Sequence, residues 1–423
     1  MAEIIRDVAC LFCGCLCDDL RITVDDGQVT RAEGGCALAL PKYLKAHEVA
    51  GLAAEVNGSP ATLELAIQRA VEILATARSP LIYGLHRSAT ESQRAAVALA
   101  DEIGATIDSP GSRGDAAALV AYQRVGQSSC TLGEVRNRAD FILFWRCDPL
   151  TTHPRHGERY SIYAAGQFLP DGRADRTIVV ADERRTATAE VADFFLPLGS
   201  GHDFETLSIL RSRVRGVDTG QEASESATGD LIIDIAARAK AARYGVFFYD
   251  GEALGRRDVE ALFRLVTDLN AFTRYSILPM GGPGNLRGAD NVLAWQTGYP
   301  CSVNLARGYP RYGPGEFSAE KVLERKEADA CLLIRVDPAA ELSSAANAAL
   351  QELPTVLLHS PMERSATSAT VRIRVGIPGI HHAGTAYRVD GVGIPLKAFL
   401  PTSLPSETEV IDAIRTQLSG SAS

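Results

Sequence analysis

Two stretches of this chain share one spaced pattern, and that pattern limits the possible folds more than any other feature. Ala139-Asp140 opens AD-x5-R-x-DP, which ends at Pro149. Ala328-Asp329 opens the same pattern, which ends at Pro338. The five residues inside each copy are apolar, so each predicts a strand buried on both faces with a polar end. Two more landmarks recur in the same order. Tyr83-Gly84 and Tyr249-Asp250-Gly251 each end an apolar run before a helical pattern. TIVVADERRTATAEV from Thr177 is matched by TVLLHSPMERSATSATV from Thr355. Three landmarks in one order point to two related α/β domains. Helix and strand patterns alternate from Thr62 onward, which argues for parallel sheets covered on both faces. Thr62 reads as the cap of the helix that begins LELAIQ. Ser88 or Thr90 reads as the cap of the helix that ends at Gly104.

Ahead of the repeats, LRITVDDGQVTRAEGG reads as a hairpin around an Asp-Asp-Gly turn. EVNGSPAT reads as a turn leading into the first helix. The expected division is therefore a cysteine-rich β module at 1–55 and a first α/β domain at 56–215, its sheet open to completion by later segments. A second, related domain follows at 216–400, then a tail at 401–423 with one short amphipathic helix and a fraying end. With 423 residues, 46 % of them hydrophobic and 22 % charged, the chain can bury several cores. The net charge of −9, with no basic cluster, argues against nucleic acid as a partner. No apolar run approaches the ~20 residues of a membrane span, and the N-terminus lacks an apolar signal core. Both point to a cytoplasmic protein.

The strongest chemical signal is Cys10-x2-Cys13-x3-Cys17 followed by Cys36. Four thiolates at this spacing suit a [4Fe–4S] cluster, a structural zinc ion, or a vestigial site of free thiols. Cys15 is an extra thiol inside the loop. Cys130, Cys147, Cys301 and Cys331 lie in or beside apolar runs and read as buried thiols. Asp148 and Asp337 close the two repeated strands, at the edge where open α/β sheets bind ligands; capping the next segment is the simpler role. His153 and His156, and likewise His381-His382, have either a proton- or metal-handling role or ordinary hydrogen bonds. The loop RGYPRYGPG presents Arg307 and Arg311, whose forks suit carboxylate or phosphate, or a structural ion pair. No nucleophile elbow, HExxH or phosphate loop is present.

Taken together, CLFCGCLCDDL with Cys36, CTLGEVRNRADFILFWRCDPLTTHPRH, WQTGYP, RGYPRYGPGE and GTAYRVDGVGIPLK resemble the family of formylmethanofuran dehydrogenase B subunits, from about residue 8 to about 400. Within it the chain looks most like the B subunit of the bacterial formyltransferase/hydrolase complex. The resemblance implies a molybdopterin-oxidoreductase fold of the formate dehydrogenase type. It also implies partner subunits in a hetero-oligomer, on which the chain's solubility would depend, and a place in one-carbon metabolism. In the dehydrogenases this subunit reduces CO2 to formate at a tungsten or molybdenum bis-pterin centre beside a [4Fe–4S] cluster. Cys10, Cys13, Cys17 and Cys36 match the cluster ligands, and Arg307 matches a residue placed to hold a carboxylate such as formate. This chain departs from the pattern where the family has a metal-ligating Cys-His-Gly-Pro element. It reads Ser109-Pro110-Gly111-Ser112-Arg113-Gly114-Asp115, with no cysteine or histidine. ALALPK after Cys36 also replaces a basic, glycine-containing turn, although Lys42 remains. The expectation is a structural subunit that has lost the pterin metal, with Arg307 paired inside the protein. The alternative is an active dehydrogenase in which Ser112 or Asp115 replaces the thiolate.

Overall fold

A computed structural model describes residues 2–46, 53–217, 227–360, 362 and 368–421. Strands β1 (Glu3–Val8), β2 (Leu20–Asp25) and β3 (Gln28–Glu33) form an antiparallel sheet in that order. Asp26 and Gly27 turn β2 into β3 with φ of +48° and +72°, the two positive values a type I′ turn needs. A second such hairpin joins β4 (Ala54–Val56) and β5 (Ser59–Ala61) through Asn57-Gly58. Asn-Gly is itself a hairpin signal, and EVNGSPAT holds this hairpin as well as the helix start. The Thr62 hydroxyl accepts from the Leu65 N–H at 3.2 Å and caps Leu63–Thr76. The helix Thr90–Ile103 ends at Gly104 as expected, but Ala89 holds its N-cap position and no side chain caps it.

The cysteine-rich region does not stand alone. Val8, Leu20, Ile22, Val29 and Tyr43 share one core with Ile377, Ile380 and Leu400. This region thus completes its core with residues from the far end of the chain. The independent module at 1–55 is corrected accordingly.

The first repeat supplies β6 (Pro80–Gly84), β7 (Thr106–Asp108), β8 (Phe141–Trp145), β9 (Thr177–Asp182) and β10 (Phe194–Pro197). The second supplies β11 (Tyr244–Tyr249) and β12 (Arg274–Pro279). A short antiparallel pair follows, β13 (Val303–Asn304) and β14 (Arg311–Tyr312). The repeat then resumes with β15 (Ala330–Ile334), β16 (Thr355–His359) and β17 (Val371–Arg374). One parallel sheet has the order β10-β9-β8-β11-β12. The nine-stranded sheet, β14-β13-β7-β6-β15-β16-β17-β4-β5, has at its centre the parallel run β7-β6-β15-β16-β17. The two five-strand arrangements are equivalent, with β8, β9, β10, β11 and β12 corresponding to β15, β16, β17, β6 and β7. Each sheet therefore combines half of one repeat with the opposite half of the other.

This exchange corrects the division at 215/216. The two compact units are Met1–Arg113 with Gly282–Ser423, and Gly114–Gly281. The strands that meet at each sheet's centre are apolar throughout and fully buried, so nothing in them specifies which copy lies alongside. The amphipathic helix expected in the tail is present and packs against the first unit. In the helix Glu407–Ser421, Val410, Ile411 and Ile414 are fully buried in the core of the first unit. The central pairing also accounts for the glycine at the end of β6. Gly84 has φ of +123°, and a Cβ there would stand 2.1 Å from the Ile334 carbonyl oxygen. Among the described residues no helix is long and apolar enough to cross a membrane.

Candidate functional site

The four spaced cysteines come together. Cys10, Cys13 and Cys17 are buried and Cys36 is half-buried, all in or against the core around Tyr43. The Cys10 N–H donates to the Cys17 carbonyl at 2.8 Å, which closes the loop between β1 and β2. The Cys36 carbonyl accepts from the N–H groups of Ala39 and Leu40, which anchors it to the helix Leu40–Leu44. Burial, and then the charges of Cys13, Cys17 and Cys36, push the Cys10 thiol far up. A hydrogen bond from Cys15, opposed by burial and helped by Lys42, pulls the Cys13 thiol down. Lys42 also lies over the Phe12 ring at 4.6 Å. Among the described residues no three His, Cys, Asp or Glu side chains are grouped to hold a single metal ion. A zinc ion needs its four donors at one point, whereas a four-iron cluster holds its thiolates apart around a larger body. The all-cysteine donor set is of the kind that holds either a four-iron cluster or a zinc ion.

A second polar site lies at the carboxyl ends of β6, β7 and β15. The order β7-β6-β15-β16 reverses between β6 and β15, a switch point of the kind that forms ligand crevices. Leu85 and Arg335 follow β6 and β15 with φ of +74° and +50°. His86, fully buried, places Nε2 3.5 Å from Glu341 Oε1, and Arg87 Nη2 is 3.1 Å from the same oxygen. Asp108, also fully buried, accepts from Ser112 Oγ at 2.6 Å, Ser302 N at 2.8 Å, Ser302 Oγ at 3.1 Å and Ala319 N at 2.7 Å. Burial outweighs these bonds and raises Asp108 to about 6. Burial also raises Asp290 to about 7, and a Cβ on Gly111 would lie 2.6 Å from its Oδ1.

The segment that departs from the family pattern thus lies between the buried Asp108 and the half-buried Asp290. Ser112 already spends its hydroxyl proton on Asp108, and the side chain of Asp115 lies outside the described residues. Cys301 is fully buried beside Asp108 and Asp290, and burial keeps its thiol protonated. These residues do not fit a thiolate-bound metal at 109–113.

The remaining candidates have structural partners. Asp148 accepts from the Thr188 N–H and hydroxyl and from Thr151, tying down the segment after β8. His153 and His156 meet Thr152 and Ser161 through Nδ1 at 2.9 Å, and burial lowers them to about 4 and about 3, so both stay neutral. His381 Nδ1 accepts from Ile377 N, and His382 Nε2 faces the Leu404 carbonyl. Arg311 donates to Asn304 at 2.7 Å and stacks over Phe317. Arg307 corrects an expectation: it is exposed on the turn between β13 and β14, with no ion-pair partner among the described residues. Sequence reasoning missed His86, Asp108, Asp290 and Glu341. The only available sign was polar residues directly after the apolar runs at Gly84 and Ile107.

No family model matches the chain. The B subunit of the tungsten-containing formylmethanofuran dehydrogenase 2 of Methanocaldococcus jannaschii is 36 % identical over 425 residues, 97 % of this chain and 98 % of that one. The chain belongs to the family of formylmethanofuran dehydrogenase B subunits. The protein of the same description in Methanococcus maripaludis is 32 % identical, covering 97 % of each chain. The B subunit of the formyltransferase/hydrolase complex Fhc of Methylorubrum extorquens is 30 % identical, over 87 % of this chain and 97 % of that one. Among solved structures, the FhcABCD complex of M. extorquens with methylofuran matches with a TM-score of 0.75 and 28 % identity, over 88 % of this chain and 99 % of that one. Acetylene hydratase from Pelobacter acetylenicus has a TM-score of 0.65 at 13 % identity, over 98 % of this chain and 69 % of that one, a likeness of fold alone. The family fold is of the molybdopterin-oxidoreductase type, and the exchanged α/β halves are how this member builds it.

Burial raises Glu341 to about 7 against an ordinary 4.5, despite the lowering effect of Arg87 and Arg113; Asp337 adds to the rise. The folded protein therefore holds a proton here that the unfolded chain releases between those two values. The stabilisation is complete below pH about 4.5 and lost as pH rises through about 7. Denaturation curves of wild type and Glu341→Gln should diverge across that window by up to about 3 kcal/mol, wild type losing stability relative to the variant. Parallel pH profiles would show that Glu341 does not titrate there.

Proposed function

We propose that this chain is the B subunit of a formyltransferase/hydrolase assembly that releases formate from formyl carriers in one-carbon metabolism, and that it contributes structure rather than redox chemistry at a pterin metal. The observation that carries this reading is Ser112. It sits in the stretch where the family pattern has its metal-ligating cysteine, and its hydroxyl is bound to a buried carboxyl instead. Other subunits of a hetero-oligomer would perform formyl transfer and hydrolysis. Cys10, Cys13, Cys17 and Cys36 would hold a [4Fe–4S] cluster, which when bound supplies one-electron transfer. In this chain Lys42 keeps positive charge beside Cys13, and Tyr43 packs in the core behind the cysteines.

A second reading, an active tungsten or molybdenum dehydrogenase, is favoured by the names of the two archaeal relatives, whose identities exceed that of the bacterial one. Elemental analysis of the native complex separates the two. The structural reading expects no stoichiometric tungsten or molybdenum, with formate released from a formyl carrier. One metal atom per chain, together with reduction of CO2 or oxidation of formate, would overturn it.

A further inference from the structure

The cysteine loop holds one thiol more than the quartet uses. Cys15 lies on the same short loop as Cys10, Cys13 and Cys17 and is 1 % exposed. Its place is fixed on both sides. The Gly14 carbonyl before it accepts from the Val389 N–H at 3.1 Å, and the Leu16 N–H after it donates to the Cys13 carbonyl at 3.3 Å. Leu16 has φ of +39°, an uncommon conformation for leucine. It is fully buried against Leu11, Ala386 and Leu396, while Cys13, Cys15 and Cys17 lie in the core around Tyr43. Both donors of Cys15 are directed to one atom: its thiol and its backbone N–H each hydrogen-bond to the Cys13 sulfur. The Phe12 N–H donates to the Cys10 sulfur in the same way. Hydrogen bonds to ligating sulfurs are one of the means by which a protein sets the reduction potential of an iron–sulfur cluster.

We propose that Cys15 is a positioning residue of the quartet: its S–H, aimed at the Cys13 sulfur, holds negative charge on that ligand and raises the reduction potential of the cluster. The proposal rests on the quartet holding a [4Fe–4S] cluster. One electron taken up from a reductant adds one negative charge, shared with the thiolates, and makes or breaks no bond. A donor fixed on one thiolate therefore favours the reduced form, because a hydrogen bond strengthens as its acceptor gains charge. Cys15→Ala removes this donor and leaves the Cys15 backbone N–H, Lys42 and all four quartet cysteines in place. Cys15→Ser puts a hydroxyl of similar size where the thiol was.

The test isolates the full chain anaerobically, measures iron, and titrates it with dithionite in the presence of redox mediators while reduction is followed by EPR. Both variants should carry the wild-type iron content and melt as wild type does. At the wild-type midpoint, the ratio of reduced to oxidised cluster should fall by up to about ten-fold in Cys15→Ala, a shift of about 59 mV for one electron. Cys15→Ser should restore most of that shift. An unchanged potential in Cys15→Ala at full iron content would overturn this proposal alone, as would equal shifts in the alanine and serine variants. Loss of iron in Cys15→Ala would also overturn it, since the thiol would then hold the metal or the loop instead of tuning it. Wild-type protein without iron would overturn both this proposal and the cluster reading.

Discussion

Replacing Arg335 with alanine is expected to destabilise the protein by about 3–5 kcal/mol, because it leaves Glu407 charged and buried without its cation. The two side chains are 5 % and 1 % exposed and meet at 3.2 Å. Arg335 closes β15 and Glu407 opens the helix Glu407–Ser421, so the pair ties the last helix to the sheet. The other repeat has a counterpart. Arg146 closes β8 with φ of +53°, and its guanidinium reaches Asp203, in the first turn of the helix Asp203–Val214, at 2.9 Å. Both arginines also donate a backbone N–H to the adjacent strand, Arg146 to Ala181 and Arg335 to Leu358, at 2.9 Å. Chemical denaturation should show a large loss for Arg335→Ala. The double variant Arg335→Met/Glu407→Leu should recover most of it, since a well-packed apolar pair removes the stranded charge. A loss in the single variant below about 1 kcal/mol, the range of exposed pairs, would mean that the pair is solvated.

Changing Cys13 to serine should abolish iron binding. Anaerobically isolated wild-type protein is expected to carry about four irons per chain with broad visible absorbance, as a four-thiolate cluster requires. Cys13→Ser should lose most of both, because Cys13 lies among thiols close enough to shift one another's ionisation, and a serine hydroxyl is a far poorer ligand for iron. Changing the remote, fully buried Cys331 to alanine should leave the iron content unchanged. Wild-type protein free of iron after anaerobic isolation would mean that the quartet is vestigial or holds zinc.

Much of the fold and of the cysteine site is legible in the residues. AD-x5-R-x-DP marks β8 and β15 because a five-residue apolar run with a polar end has few other uses. Asp26-Gly27 and Asn57-Gly58 carry their hairpins locally, since a type I′ turn needs only two residues that tolerate positive φ. The cysteine spacing identifies the place where four thiols meet, because three of them lie on a single short loop. Each of these rests on interactions within a few residues of chain.

Tertiary structure alone decides the rest. The strands that meet at the sheet centres are uniformly apolar, so their pattern marks them as buried without showing which strand each lies beside. The pairing of β6 with β15 and of β8 with β11, and with it the exchange of halves, is visible only in the fold. The same pairing brings Arg87 to Glu341, 254 positions further along the chain, and sets His86 against the same carboxyl. The fold also brings Ser302 to Asp108 from 194 positions further along the chain, whereas Ser112, four residues away, reaches the same buried carboxyl locally. Arg307 shows the converse. Its sequence context suggests a paired cation, but whether an arginine finds an acid depends on which surfaces the fold brings within reach, and among the described residues it brings none.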